Sequence, residues 1–217
     1  AVEARVYAED PLRNFMPSIG RLVRYQAPEE DGHVRVDTGV FEGGEISMFY
    51  DPMIAKLIAG GEDRDTAVGR MRDALDRFYI RGIAHNIPFL AALMKHPRFA
   101  EGRLTTGFIE EEFPDGFQLA HLLPDDPTLL VAVAGALHHV DAMRSHVNDD
   151  GSKEAREFVA FLEGDESQEF AVRCARVGGG WLINVDGTDF EIHGSWNAGD
   201  PMFVGTVNDQ DVCVQIG

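Results

Sequence analysis

The segment Asp126 to His146, DPTLLVAVAGALHHVDAMRSH, constrains the fold more than any other part of the chain. Asp126 stands where a helix cap is needed and Pro127 at the first helical position, the pairing favoured at a helix start. Leu129, Leu130, Val131, Val133, Ala134, Leu137, Val140 and Met143 then leave little polar face. A helix that is apolar nearly all round must be surrounded by protein or by lipid. His138, His139 and Asp141 argue against lipid, so the spacing predicts a helix over about 127–146, some 30 Å long at ~1.5 Å per residue, that protein has to wrap.

The wrapping material follows directly. Arg156 to Leu162, Glu169 to Val177, Trp181 to Asp186, Thr188 to His193, Met202 to Val207 and Val212 to Ile216 are short runs in which polar and apolar residues alternate. Val185-Asp186-Gly187-Thr188 is a type I′ hairpin signal, because both central positions need positive φ. Closely spaced short strands of this kind imply an antiparallel barrel or sandwich, here a small barrel folded around the apolar helix.

The first half reads differently. Val2 to Tyr7, Gly20 to Tyr25, His33 to Asp37 and Glu45 to Tyr50 are rich in strand formers and separated by Pro, Gly and Asp. The run FYDPMIAKLIAGG, Phe49 to Gly61, places one lysine inside an apolar stretch and ends in two glycines. No Gly-x-x-x-x-Gly-Lys-Ser/Thr order accompanies it, so it is not a nucleotide loop. Lys56 is expected to snorkel into solvent or to meet a carboxylate such as Asp51. Asp63 is placed to cap a helix carrying Ala67, Met71, Ala74, Leu75 and Phe78, and a second helix is expected over Ile87 to Lys95, ahead of Pro97. The acidic run and Pro-Asp-Gly turn in FIEEEFPDGFQ, Phe108 to Gln118, suggest a domain boundary at 112/113.

Composition limits the partners. With 37 acidic residues against 19 basic, the 217-residue chain has a formal charge of −18, which disfavours nucleic acid. No apolar run approaches the ~20 residues of a membrane helix. Cys174 and Cys213 make no disulfide framework and, by alternation, lie in different environments, so separate thiols in a reducing compartment are expected. The chain opens on AVEARVYAEDP and closes on DVCVQIG, both strand-like, and is expected to be a piece of something larger.

AVEARVYAEDP, the Phe15 to Gly20 stretch, HVRVDTGV, YDPMIAKLIAGGEDRDTA and the run to TTGFI resemble the C-terminal portion of the biotin carboxylase domain of biotin-dependent acyl-CoA carboxylases. FPDGF, the long helix and WLINVDGTDFEIHGSWN resemble the region after that domain in propionyl-CoA carboxylase alpha subunits. The resemblance implies an α+β chain. Residues 1–112 would be the C-terminal part of an ATP-grasp biotin carboxylase domain, an antiparallel sheet with helices. Residues 113–217 would be a BT-type domain, a barrel of about eight strands around the helix, two of them beyond Gly217.

The activity so implied is ATP- and bicarbonate-dependent carboxylation of biotin for transfer to propionyl-CoA, with Mg or Mn. The implied partners are a carboxyltransferase beta subunit in a hetero-oligomer and a biotinyl carrier domain of the same chain, with neither nucleic acid nor membrane. The compartment would be a bacterial cytoplasm or a mitochondrial matrix. The nucleotide-covering and metal-binding parts would precede Ala1, so the segment alone is expected to be inactive. A 3-methylcrotonyl-CoA type subunit, or a non-catalytic interaction module, are the alternatives.

Arg35 in HVRVDTG matches the family's active-site arginine, which implies contact with bicarbonate and with the enolate-like oxygen of deprotonated biotin. Its residue context alone would suit a surface arginine on an exposed strand. Glu3, Arg5, Glu9 and Asp10 also match a family motif and are expected to form structural ion pairs, with Asp51 in a similar structural role. Lys95 in Leu93-Met94-Lys95-His96 resembles a biotinylation site only superficially, since it ends a helical pattern. Neighbouring His138 and His139 should point apart and hold no metal.

Overall fold

The computed structural model describes residues 1–47, 49, 51–121, 126–145, 155–162 and 167–216, which form two units, Ala1–Leu123 and Pro124–Gly217. In the first unit, strands β1 (Val2–Tyr7), β2 (Val34–Thr38) and β3 (Met53–Ala59) make an antiparallel sheet in the order β1-β3-β2. The apolar run singled out in the sequence is thus the central strand. Alternation sends Ala4, Val6, Ala55, Leu57 and Ala59 to one buried face, because successive side chains of a strand point to opposite sides.

Helix α1 (Arg64–Asp76) covers that face with Ala67, Val68, Met71, Ala74 and Leu75, spaced three and four apart. Asp63 caps it as expected: its carboxylate accepts the Thr66 N–H at 2.8 Å. Gly61 enters the turn because nothing larger fits, since a Cβ there would lie 2.6 Å from the Ala67 nitrogen. Helix α2 (Ile87–Lys95) has the bounds that the sequence gives it. It is tied to β1 by the buried side chain of Asn86, which accepts from the Tyr7 N–H at 2.9 Å and donates to the Arg5 carbonyl at 3.1 Å.

Two expected strands are altered. Gly20 to Tyr25 is divided, Gly20–Arg21 pairing with Glu45–Ile46 and Arg24–Gln26 with Tyr79–Arg81. The split follows from serving two partners. The expected Glu45 to Tyr50 strand is seen as Glu45–Ile46, and Met48 and Tyr50 fall outside the described residues. After the short helices α3 (Pro97–Ala100) and α4 (Phe108–Glu112), the first core continues past the expected 112/113 break. Phe113 and Phe117 are buried with their rings 5.6 and 5.4 Å from that of Phe89, so the aromatic cluster holds this segment in the first unit.

In the second unit, α5 (Thr128–Ser145) starts where Asp126 accepts the Thr128 N–H at 2.9 Å. Strands β4 (Arg156–Leu162), β5 (Gln168–Val177), β6 (Gly180–Val185), β7 (Thr188–Ser195), β8 (Met202–Val207) and β9 (Gln210–Gln215) form an antiparallel meander in sequence order. The helix packs on β4 to β7 through Val131, Ala132, Val133, Ala136 and Leu137, against Val172, Cys174, Trp181, Ile183 and Ile192. Gly135 permits a close approach, as a Cβ there would lie 3.1 Å from a Val172 methyl.

The helix is not apolar-covered on every side. Leu130, Ala134, His138 and Asp141 form an exposed stripe, and among the described residues β4 and β9 do not pair with each other, so the sheet is open. The hairpin at Asp186-Gly187 has φ of 47° and 91°, both positive as a type I′ turn requires. Asn208-Asp209 turns the chain in the same way, at 49° and 62°.

Candidate functional site

Arg35 is the second residue of β2, an edge strand, and the preceding loop fixes its backbone. The Asp31 carboxylate accepts the His33 and Val34 N–H groups, both at 2.7 Å, and these bonds hold its pKa below the usual carboxylate range. Glu30 accepts the Val36 N–H at 2.7 Å. Carboxylates therefore satisfy the N–H groups on both sides of Arg35, on the strand edge that, among the described residues, no other strand covers. Sequence reasoning missed both residues, because PEEDG reads as a solvated turn.

The sheet face opposite α1 is charged. Register aligns Glu3, Ile58 and Arg35 in one cross-strand row and Arg5, Lys56 and Asp37 in the next. Arg5 meets Glu3 at 3.2 Å, and Arg35 Nη2 donates to Asp37 Oδ2 at 3.1 Å. The Arg35 side chain is 67% exposed and that of Asp37 51%. An ion pair so exposed contributes about 0–1 kcal/mol, too little to withhold the guanidinium from an incoming anion.

Lys56 is half-buried and faces Asp37 across the strand pair. It does not engage Asp51, whose carboxylate accepts the Met53 N–H at 3.0 Å at the start of β3. An open cleft of about 530 Å³ is lined by Asp37, Thr38, Gly39, Met53 and Lys56, among others.

The other residues singled out in the sequence have these surroundings. Arg5 and Glu3 form the expected pair. Asp10 instead accepts the Leu12 N–H at 3.0 Å, while burial, with Asp51 nearby, pushes the pKa of Glu9 up. Lys95 ends α2. His138 is exposed against the Phe158 ring, whereas His139 is buried and its pKa is lowered by that burial and by the charges of Arg156 and Arg176. Cys174 is fully buried, which pushes its pKa up to about 12, and Cys213 is a second free thiol, half-buried.

Arg35 presents a planar, permanently charged fork of donors engaged only by Asp37 among the described residues, a group chemically suited to an oxyanion. Among the described residues no three His, Cys, Asp or Glu side chains converge as metal ligands, so they form no cradle for the metal that accompanies ATP.

Residues 3–111 match the family described as Biotin carboxylase C-terminal domain, and residues 130–217 match the Propionyl-coenzyme A carboxylase BT domain. The chain is 39% identical to the propionyl-CoA carboxylase alpha chain of Ruegeria pomeroyi, with 100% of this chain and 35% of that protein aligned. It is 38% identical to the mitochondrial propionyl-CoA carboxylase alpha chain of Rattus norvegicus, covering 99% of this chain and 30% of that one. The chain thus spans about a third of the length of these relatives. Among solved structures, the biotin carboxylase subunit of pyruvate carboxylase is 38% identical, with a TM-score of 0.51 over 57% of this chain and 26% of that one. Arg35 and its carboxylate-clamped strand lie inside the first matched segment, and the chain belongs to the biotin carboxylase C-terminal domain family, continued by a propionyl-coenzyme A carboxylase BT domain.

Proposed function

We propose that this chain is part of the subunit that carboxylates biotin in a propionyl-CoA carboxylase, using ATP with Mg or Mn and bicarbonate, for transfer to propionyl-CoA giving methylmalonyl-CoA. The observation that carries this reading is the succession of two family matches in one chain, a biotin carboxylase segment followed by a BT segment. Biotin, when bound, supplies a ureido nitrogen that accepts the carboxyl group and passes it on. The chain's own contribution is Arg35. Its guanidinium, set on a strand whose edge is pinned by Glu30 and Asp31, places a fixed positive charge where negative charge gathers on oxygen. Such a preorganised donor does not have to reorient as the charge develops.

The second unit is the part proposed to contact the carboxyltransferase beta subunit, with a biotinyl carrier domain of the same polypeptide visiting Arg35. A reducing compartment, bacterial cytoplasm or mitochondrial matrix, suits the two free thiols. In the full-length subunit, Arg35→Ala is expected to lower bicarbonate-dependent biotin carboxylation by about 10²- to 10³-fold, the scale of losing an oxyanion donor. Unchanged turnover would remove Arg35 from the mechanism. The acyl group is tested separately, by assaying the intact complex on propionyl-CoA and 3-methylcrotonyl-CoA; preference for the latter would overturn the choice of substrate.

A further inference from the structure

Two arginines and a tryptophan stand where the second sheet meets its helix. Arg156 faces Cys174 across β4 and β5, and Arg176, two residues on from Cys174, faces Trp181 across β5 and β6. Directly opposed residues share a face, and Cys174 and Trp181 are buried with the helix core, so both arginines belong to the inner face. The Cys174 thiol lies 3.8 Å from the Gly135 carbonyl, and His139 follows one helical turn after Gly135. His139 thus lies near this row. Burial, and then the charges of Arg156 and Arg176, lower its pKa.

Three of these side chains lack the partners their chemistry calls for. Nδ1 of His139 and Nε1 of Trp181 are enclosed, on residues only 4% and 3% exposed, and neither has a hydrogen-bond partner among the described residues. Buried polar atoms are nearly always bonded, because an unmade bond there is costly. Arg176 meets no carboxylate among the described residues, and its guanidinium carbon lies 4.5 Å from the centre of the Trp181 ring, which holds the cation without neutralising it. The donor set defines the ligand. Indole and guanidinium N–H groups only donate, and imidazole Nδ1 donates in one tautomer. Such a row, beside two fixed positive charges, repels a metal ion and fits a negatively charged acceptor; the guanidinium fork matches the oxygen spacing of a carboxylate or a phosphate.

We propose that Arg176, His139 and Trp181, with the charge of Arg156 beside them, form a seat for a small free oxyanion, a carboxylate or a phosphate, between α5 and the inner face of its sheet. Arg176 is exposed, so it meets the ion first. It turns from the ring face toward the ion and uncovers the enclosed nitrogens, which bind from the inner side. The seat belongs to the second unit and does not depend on the role proposed for Arg35.

The test follows indole N–H resonances in the full-length subunit, isotope-labelled at its tryptophan nitrogens, with the Trp181 line assigned by its loss in Trp181→Phe. Trp196 is an internal reference, because its Nε1 already donates to the Asp200 carbonyl at 3.0 Å. Acetate and inorganic phosphate are titrated separately against chloride at matched ionic strength. At least one should move the Trp181 line saturably while that of Trp196 stays still, and the one that does so identifies the ligand class. Arg176→Gln should weaken this binding by about tenfold to a hundredfold, the scale of losing hydrogen bonds to a charged group. Because Arg176 is exposed, the variant should melt like wild type in chloride; the active anion should raise the wild-type midpoint and raise that of the variant less. A Trp181 line that stays still in both anions, or that moves equally in Arg176→Gln, overturns the proposal, as does an equal rise in midpoint for both proteins. A line that moves only when the carboxyltransferase beta subunit is added also overturns it, since a protein side chain would then fill the seat.

Discussion

His85 illustrates how one side chain can couple this fold to pH. Its Nδ1 is enclosed and has no hydrogen-bond partner, and burial, aided by the nearby charge of Arg81, pushes its pKa down to about 4. The folded chain therefore resists a proton that the unfolded chain accepts near pH 6.5. Stability from this source is present above that value and is lost as pH falls toward 4, by no more than about 3 kcal/mol. Urea midpoints for wild type and His85→Gln, compared between pH 7 and 5, should converge as the acid limb is entered; parallel curves would exclude His85 as a source of the slope. Arg35, which carries the proposed role, shows the opposite relation between sequence and structure. Its residue type and strand were legible, but its context was that of any exposed arginine, and only the surrounding motifs marked it. The carboxylates that fix its strand were not legible, because hydrogen bonds from backbone N–H to Glu30 and Asp31 depend on how the loop folds back.

At the scale of elements, punctuation was the dependable signal. Asp63, Asp126 and the Ile87–Lys95 pattern gave helix limits within a residue or so of those observed, since caps and periodicity act locally. Strand limits were less certain where one run serves two partners, as at Gly20–Arg21 and Arg24–Gln26. The Asp186-Gly187 turn was readable through its glycine. Asn208-Asp209 was not, although Asn and Asp tolerate the left-handed region for want of a bulky side chain. Gly61 carries a firm expectation. With a Cβ placed 2.6 Å from a backbone nitrogen at the head of α1, Gly61→Ala should destabilise the chain by about 1–3 kcal/mol, seen as a lower thermal midpoint. An unchanged midpoint would mean that the helix start can shift to make room.

For the whole molecule, the change from mixed helices and strands to an apolar rod followed by alternating runs made two units visible. Where one gives way to the other was not, because Phe113 and Phe117 join the first core through contacts with Phe89, which is distant in sequence. The two units also differ in the distances over which their strands find each other. In the meander from β4 to β9 every strand neighbours the next in sequence, and tight turns link β5 to β6, β6 to β7 and β8 to β9. In the first sheet Val2 has to meet Ala59. Closing short loops loses less chain entropy, so local pairings come early and distant ones late. Pulse-labelled amide exchange during refolding should find the Trp181 to Ile192 hairpin shielded before Ala4 and Leu57; simultaneous protection would mean that a shared nucleus spans both units. A ribbon that zips itself shut from neighbour to neighbour can be complete while the opening strand of the chain is still searching for its place.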